Sequence, residues 1–145
     1  QIIGSIEKSY LKELQDKDIN NRINWTPYFL DDIDLYEAIN KCDLLVLPYR
    51  AISQSGVLLL SIYFGKLIIC SDLPSFVETM RGNFGDDLDD SLFFHNGDSD
   101  SLKDLLVRYA NKEIDEAANR NRIRLLKNLY SWESAARSTL EIYKK

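Results

Sequence analysis

Hydrophobic residues along the chain form short blocks, some continuous and some spaced at helical intervals, and the two kinds alternate. Residues 43–47 and 67–70 are apolar at almost every position, which is typical of strands buried on both faces of a sheet. Pro48 ends the first of these strands, because proline has no N–H to donate to a neighbouring strand. Shorter apolar runs predict three further strands, at residues 2–3, 22–26 and 92–94.

Between the predicted strands, apolar residues recur every three or four positions, as on the buried face of a helix. Residues suited to helix ends mark several boundaries. Asp31 or Asp32 caps one helix, Gly65 closes another and Pro74 begins a third. Trp132 is predicted to anchor the last helix in the core. The predicted helices cover residues 6–18, 32–42, 55–64, 74–80, 102–109, 114–129 and 131–143.

Strands that alternate with helices predict an α/β fold built on a doubly wound, Rossmann-like parallel sheet. In such sheets, ligands bind beyond the carboxyl ends of the strands. The candidate binding loops therefore follow Ile3, Trp25, Leu47 and Cys70. We expect residues 1–145 to form a single domain, and the strand-like opening of the sequence indicates a segment cut from a longer protein.

The loop after the strand at residues 43–47 leads into a helix and is the sharpest candidate for a ligand site. The first backbone N–H groups of that helix, at Gly56, Val57 and Leu58, lack partners inside the helix, and the helix dipole adds partial positive charge. Such a helix end binds phosphate readily. The hydroxyls of Ser53 and Ser55 can add donors. A helix that is merely capped by Ser55, without a ligand, remains the alternative.

Other features of the sequence indicate structure rather than chemistry. The net charge is −5, and no lysine-rich or arginine-rich stretch is present that would bind nucleic acid. Neither a GxGxxG motif nor a P-loop motif follows the first strand. His95 is the only histidine and is predicted to lie in a turn. The acidic clusters at residues 31–34, 86–90 and 98–100 predict helix caps and turns rather than metal sites.

Apolar runs and cysteines bear on the location of the protein. The longest apolar run, residues 57–63, is broken only by Ser61 and is too short to cross a bilayer, and no signal peptide is visible. Cys42 and Cys70 lie in apolar surroundings without CxxC spacing, which indicates reduced thiols. We therefore expect a cytoplasmic protein.

Six segments carry a resemblance to a known family: RINW (22–25), KCDLLVLP (41–48), SGVL (55–58), FGKLIICSD (64–72), LPSFVE (73–78) and YSWE (130–133). Taken in order, they resemble the C-terminal, donor-binding half of retaining glycosyltransferases of GT-B fold, in the group 1 family (family four). The resemblance covers nearly the whole chain, and the ordered set is more specific than any single segment.

This resemblance implies a domain that binds a sugar nucleotide and transfers the sugar, with retention of configuration, to a glycan or lipid-linked acceptor in polysaccharide biosynthesis. It implies no metal or cofactor. It also implies an acceptor-binding N-terminal domain as a partner, which would mediate any association with a membrane surface. The diphosphate would rest on the helix end at Gly56. The implied nucleotide-sugar site comprises Tyr28, Arg50, Ser53, Gln54, Ser55, Gly56, Val57 and Leu60.

Aromatic residues near the second strand have two interpretations. Tyr28 and Phe29 follow that strand and could flank a nucleobase, which the resemblance places near residues 25–28. They could equally pack beneath the adjacent helix.

Two positions depart from the family's pattern. The family usually carries two glutamates, one near the donor sugar and one on the ribose hydroxyls. Counting back from Gly65 places Ile52 and Leu60 at these positions, and neither side chain can accept a hydrogen bond. The polar residues 53–54 are candidate substitutes for the first contact, and nothing replaces the second. Arg50 is a candidate substitute for the family's diphosphate-binding basic residues, with an ordinary exposed arginine as the alternative.

Two functions fit these features best. The chain is either the donor-binding domain of a transferase, inactive without its other half, or a catalytically degenerate relative that serves as a scaffold or partner subunit. The apolar Leu60 favours the degenerate relative, whereas the retained Ser-Gln-Ser-Gly loop favours the transferase. A flavodoxin-like or receiver module fits least. A receiver needs an acidic pair after its first strand, which is absent from this sequence.

Overall fold

The computed structural model describes residues 1–83 and 90–144. Contacts divide the chain into two compact units, residues 1–38 and residues 39–145. Both units contain parallel strands connected through helices, so the predicted α/β fold of Rossmann-like type is confirmed. The prediction that the whole chain forms a single domain stays a prediction.

The first unit is built around two short parallel strands. Its elements are β1 (Ile2–Ile3), α1 (Lys8–Lys17), β2 (Trp25–Thr26) and the start of α2 (Asp32–Lys41), and β1 pairs with β2. The predicted strand at residues 22–26 is wrong over its first half. There the Asp18 carboxylate accepts hydrogen bonds from the backbone N–H groups of Arg22 (3.1 Å) and Ile23 (2.9 Å). These residues lie outside the strand, which begins at Trp25.

The second unit contains a three-stranded parallel sheet in the order β3-β4-β5. In register, Leu47 lies opposite Cys70, and Ser71 lies opposite Phe94. A 3-10 turn, Asp90–Leu92, leads into the last strand. The elements are β3 (Leu44–Leu47), α3 (Gly56–Tyr63), β4 (Leu67–Ser71), α4 (Pro74–Arg81), β5 (Phe93–Phe94), α5 (Ser99–Ala110), α6 (Glu116–Leu129) and α7 (Trp132–Tyr143).

Both faces of this sheet are covered, as the continuous apolar runs predict. All five residues of β4 are buried. Ile68 and Cys70 belong to a core cluster with residues of α3, α4 and α6, whereas Leu67 and Ile69 belong to a second cluster with residues of α5. Successive residues of a strand point to opposite faces. The apolar pattern of β4 therefore follows from burial between two helical layers.

Several helix ends follow the expected capping chemistry. Pro74 is the first residue of α4, and Asp98 caps α5 by accepting from the N–H groups of Asp100 and Ser101. Gly65 closes α3 with φ +68°, a conformation that favours glycine. Asp31 caps α2 through a hydrogen bond from the Asp34 N–H at 2.9 Å. The acidic residues at these two starts are thus used as helix caps.

The last helix corrects one expectation. Trp132 is not a core anchor, because 88% of its surface is exposed, and α7 contains no buried residue. The junction before α7 is held by other residues. Leu129 packs against the larger core cluster, and the Tyr130 hydroxyl donates a hydrogen bond to the Thr79 carbonyl at 3.0 Å. Both residues precede the Ser131 cap, and the tryptophan that follows it is exposed.

Candidate functional site

The carboxyl ends of β3, β4 and β5 lie along one edge of the second unit's sheet, because the three strands are parallel and adjacent. This edge is where ligands bind in open α/β sheets. The segments that leave it are the loop at residues 48–55, the residues from Asp72 onward, and the turn that begins at His95.

The loop at residues 48–55 is fixed by the elements beside it. Three side chains donate hydrogen bonds to its carbonyl oxygens: Ser71 Oγ to Tyr49 (2.6 Å), Asn96 Nδ2 to Arg50 (3.1 Å) and Ser75 Oγ to Ile52 (3.1 Å). Tyr49 and Ile52 also pack against the larger core cluster. The backbone of the loop is therefore held in place by the protein itself.

At the start of α3, two of the three backbone N–H groups predicted to be free have no partner among the described residues, and the third is used by the helix cap. Ser55 is the N-cap, and its Oγ accepts a hydrogen bond from the Leu58 N–H at 3.1 Å. The prediction that this N–H is free is therefore wrong, because the cap uses it. Within the described residues, the N–H groups of Gly56 and Val57 have no acceptor. Ser55 thus caps the helix and still leaves two N–H donors at its dipole end.

The predicted site residues fall mainly in one segment. Arg50, Ser53 and Gln54 are exposed, Ser55 is buried, and Gly56 is exposed at the first position of α3. A Cβ built on that glycine would approach no other part of the described structure within 4 Å, so the space that a side chain would occupy there is open. Further along are the half-buried Val57 and Leu60. Tyr28 belongs to the first unit, where 60% of its surface is exposed.

One group of candidate site residues was missed by the sequence prediction. Asp72 follows β4, and its Oδ2 lies 3.0 Å from Nδ1 of His95, which follows β5. Its other oxygen, Oδ1, accepts a hydrogen bond from the Asn96 N–H at 2.8 Å. We call Asp72, His95 and Asn96 the edge network. The sequence offers one indication of this group, the predicted strand at residues 92–94. In a parallel sheet, the loop after that strand lies at the same edge as the loops after the other strands.

The edge network pairs a carboxylate with an imidazole, and each shifts the pKa of the other. The hydrogen bond with His95 lowers the pKa of the Asp72 carboxyl, and the Asn96 N–H lowers it further. The same carboxylate raises the pKa of His95, through the hydrogen bond and through its charge. The carboxylate at this edge is therefore ionised and partnered by donors.

A comparison with protein families agrees with this architecture. The sequence model described as glycosyl transferases group 1 matches residues 1–112. The chain belongs to the group 1 glycosyltransferase family. No match was found among curated proteins.

Family membership supports a glycosyltransferase function and agrees with the Rossmann-like fold. The matched residues include the loop at residues 48–55, the start of α3 and the whole edge network. The segments that carry the resemblance in the sequence lie within this match, except residues 130–133. The candidate site is thus part of the domain that defines the family.

Three further features of this group 1 glycosyltransferase bear on metal binding, cysteine reactivity and membrane insertion. Within the described ranges, no group of three His, Cys, Asp or Glu residues is placed to hold a metal ion. Of the acidic cluster at residues 86–90, residues 86–89 lie outside those ranges. Cys42 and Cys70 are free, and burial raises the pKa of the Cys70 thiol to about 12, which keeps it protonated. In the described part of the chain, no helix is both long enough and apolar enough to cross a membrane.

Proposed function

We propose that this group 1 glycosyltransferase chain binds the nucleotide-sugar donor, with the diphosphate at the N-terminus of α3. The observation that carries the proposal is the pair of N–H groups at Gly56 and Val57, which have no acceptor among the described residues. They follow a loop whose carbonyl oxygens are held by three neighbouring side chains. Donors fixed before the ligand arrives need no reorganisation on binding.

The chemistry of glycosyl transfer suits this arrangement. When the sugar leaves the donor, negative charge develops on the diphosphate. A helix N-terminus stabilises that charge through its N–H groups and its dipole. The exposed Arg50 guanidinium precedes the helix in the same loop and can add positive charge. Ser53 and Gln54, also exposed, can donate hydrogen bonds to the donor sugar. This proposal needs neither a metal nor a cofactor.

The proposed reaction needs a second domain. We propose that transfer proceeds with retention, to a glycan or lipid-linked acceptor bound by an N-terminal domain that these residues do not contain. Because catalytic groups must come from both walls of such a cleft, the chain alone is expected to be inactive. Free thiols at Cys42 and Cys70 support a cytoplasmic location.

A second candidate is a catalytically degenerate partner subunit. Ile52 favours it, because the family resemblance places this residue at the position of a glutamate, and its side chain packs against the core cluster. In that case the chain would keep the fold without binding a donor.

Calorimetry distinguishes the two candidates. The chain is titrated with UDP, GDP, ADP and CDP, and one of them is expected to bind. Gly56→Val should then weaken binding at least tenfold, because the added side chain keeps the diphosphate away from the backbone. The open space at this glycine means that the fold should not change. Ser99→Val is the matched control, since Ser99 is the exposed first residue of α5.

The outcomes separate cleanly. Binding that is lost in Gly56→Val and kept in Ser99→Val supports the donor site. If none of the four diphosphates binds, the degenerate subunit is the better description. Equal losses in both variants would place the diphosphate elsewhere.

A further inference from the structure

Asn96 connects the end of β4 to the loop at residues 48–55. Its backbone N–H donates to Asp72 Oδ1 at 2.8 Å, and its side-chain Nδ2 donates to the Arg50 carbonyl at 3.1 Å. The Asp72 carboxylate is held in turn by Nδ1 of His95 at 3.0 Å. The edge network therefore reaches the loop through a single side-chain amide.

The three anchors of the loop come from different places. Ser71 and Ser75 belong to β4 and α4, and they hold the carbonyls of Tyr49 and Ile52. Among the described residues, Asn96 is the one donor to this loop that comes from beyond β5. Within the described ranges, it alone ties the Arg50 carbonyl to the segment after the far strand of the sheet.

The edge network contributes little to the core. The side chains of His95 and Asp72 are 79% and 40% exposed, and Asn96 is also exposed. Exposed polar pairs add little to the free energy of unfolding. The network can still determine the conformation of the loop, because a fixed carbonyl at Arg50 constrains the few residues that lead to Gly56. The network is therefore suited to hold a loop rather than to hold the fold together.

Charge gives a second reason for the arrangement. An unpartnered carboxylate on the edge that receives a diphosphate would repel it. Asp72 points both oxygens at donors, Nδ1 of His95 and the N–H of Asn96. Both oxygens of this carboxylate are therefore partnered by donors, which offset part of its negative charge at the edge.

We infer that Asn96, oriented by Asp72 and His95, is a positioning residue that holds the loop at residues 48–55 in the conformation that binds the donor diphosphate. This inference rests on the proposed function. Asn96 acts through the Arg50 carbonyl and makes no contact with the ligand.

Four variants test the inference in the full chain. Asn96→Ala removes the side-chain donor and keeps the backbone N–H to Asp72. Asn96→Asp keeps the shape and replaces the donor by an acceptor, so it remains informative if the alanine variant folds poorly. Asn96→Gln keeps an amide donor and should restore part of the effect. Asn111→Ala is the control, because Asn111 is an exposed residue whose Nδ2 bonds Glu113 at the other end of α5.

Two measurements are made on each variant. Backbone ¹⁵N order parameters of Arg50 and Ala51 report the loop without any ligand, and they are expected to fall from about 0.85 to about 0.6 in Asn96→Ala and Asn96→Asp. Calorimetry with inorganic pyrophosphate reports the phosphate site, and these two variants are expected to bind about three- to tenfold more weakly. Asn111→Ala should change neither.

Each result decides something. Unchanged order parameters in both Asn96→Ala and Asn96→Asp would overturn the inference, even if binding weakened, because Asn96 would then contact the ligand directly. Lower order parameters with weaker pyrophosphate binding support it. If the loop loosens but the wild-type chain binds no pyrophosphate, Asn96 positions the loop as inferred and the proposed diphosphate site fails.

Discussion

Asp72 and His95 follow neighbouring parallel strands, and their side chains meet with Oδ2 of the carboxylate 3.0 Å from Nδ1 of the imidazole. Each residue shifts the pKa of the other, lowering that of the carboxyl and raising that of the imidazole. The imidazole is thereby held with Nε2 turned away from the carboxylate. A pair of this kind responds to pH in a defined direction.

The first prediction concerns that response. A histidine with a raised pKa stabilises the folded chain below its ordinary value of about 6.5, and this stabilisation is lost as the pH rises through the folded pKa. A carboxyl with a lowered pKa stabilises the folded chain at pH values above its ordinary pKa of about 3.9. This stabilisation is lost as the pH falls through the carboxyl's pKa in the folded chain. The pair therefore contributes most to the free energy of unfolding between about pH 4 and 6.5.

Proton NMR can measure this directly, because His95 is the only histidine and its ring signal is unambiguous. Asp72→Asn should return the pKa of His95 toward about 6.5. Asp104→Asn, an exposed carboxyl on α5, serves as the control and should leave it raised. A His95 pKa that does not respond to Asp72→Asn would show that the pair is not formed in solution.

The second prediction concerns the cap of α3. Ser55→Ala removes the acceptor for the Leu58 N–H and should lower the free energy of unfolding by about 0.5–2 kcal/mol. Urea denaturation measures the change. Ser53→Ala is the matched control, because Ser53 is exposed in the same loop and should cost little. Equal effects of the two variants would contradict the assignment of Ser55 as the cap.

The third prediction concerns a buried amide. Asn119 is 2% exposed, and its Nδ2 donates to Ser91 Oγ at 2.9 Å and to the Tyr109 hydroxyl at 3.2 Å. Asn119→Ala removes both hydrogen bonds and leaves a cavity, so the free energy of unfolding should fall by about 1–3 kcal/mol. Asn128→Ala, at an exposed position of the same helix, should change stability by less than about 0.5 kcal/mol. Comparable losses would mean that the buried amide does not join α6 to its neighbours.

The sequence predicts those elements whose cause is local. The strands around residues 44–47 and 67–71 and the caps at Ser55 and Asp98 follow from apolar runs and from short-range hydrogen bonding. The edge network depends instead on strand order, because β5 must lie beside β4 before residue 95 can approach residue 72. Local pattern carries no information about that adjacency.

Burial of single aromatic residues is also set by tertiary structure. Trp132 follows a serine cap and lies in a helix with apolar residues, which locally resembles a buried position. At this junction the contacts are made by Leu129 and Tyr130, whereas Trp132 is exposed and α7 contains no buried residue. The assignment of Leu60 to the ribose rests on a count from Gly65, and it can be tested through binding.

The last prediction uses Leu60, the position that the family resemblance places on the ribose hydroxyls. If the diphosphate binds at Gly56, the ribose reaches Leu60 without a hydrogen-bond acceptor. Leu60→Glu should restore that acceptor, and a hydrogen bond to a charged group contributes about 1.5–3 kcal/mol. We therefore expect a ribonucleoside diphosphate to bind about tenfold to a hundredfold more tightly to the variant, and its 2′-deoxy counterpart to gain less.

The control for this variant lies one residue away. Leu59→Glu adds the same charge to the same helix at a position that is 44% exposed, so it accounts for any general effect of the carboxylate on an anionic ligand. Calorimetry with both nucleotides on both variants gives the comparison, and thermal melting checks the fold. Because only a residue that faces the ribose can discriminate the 2′-hydroxyl, a changed ribo/deoxy preference must appear in Leu60→Glu and not in Leu59→Glu. An unchanged preference in a folded Leu60→Glu variant would show that the side chain points elsewhere and that the count from Gly65 is out of register.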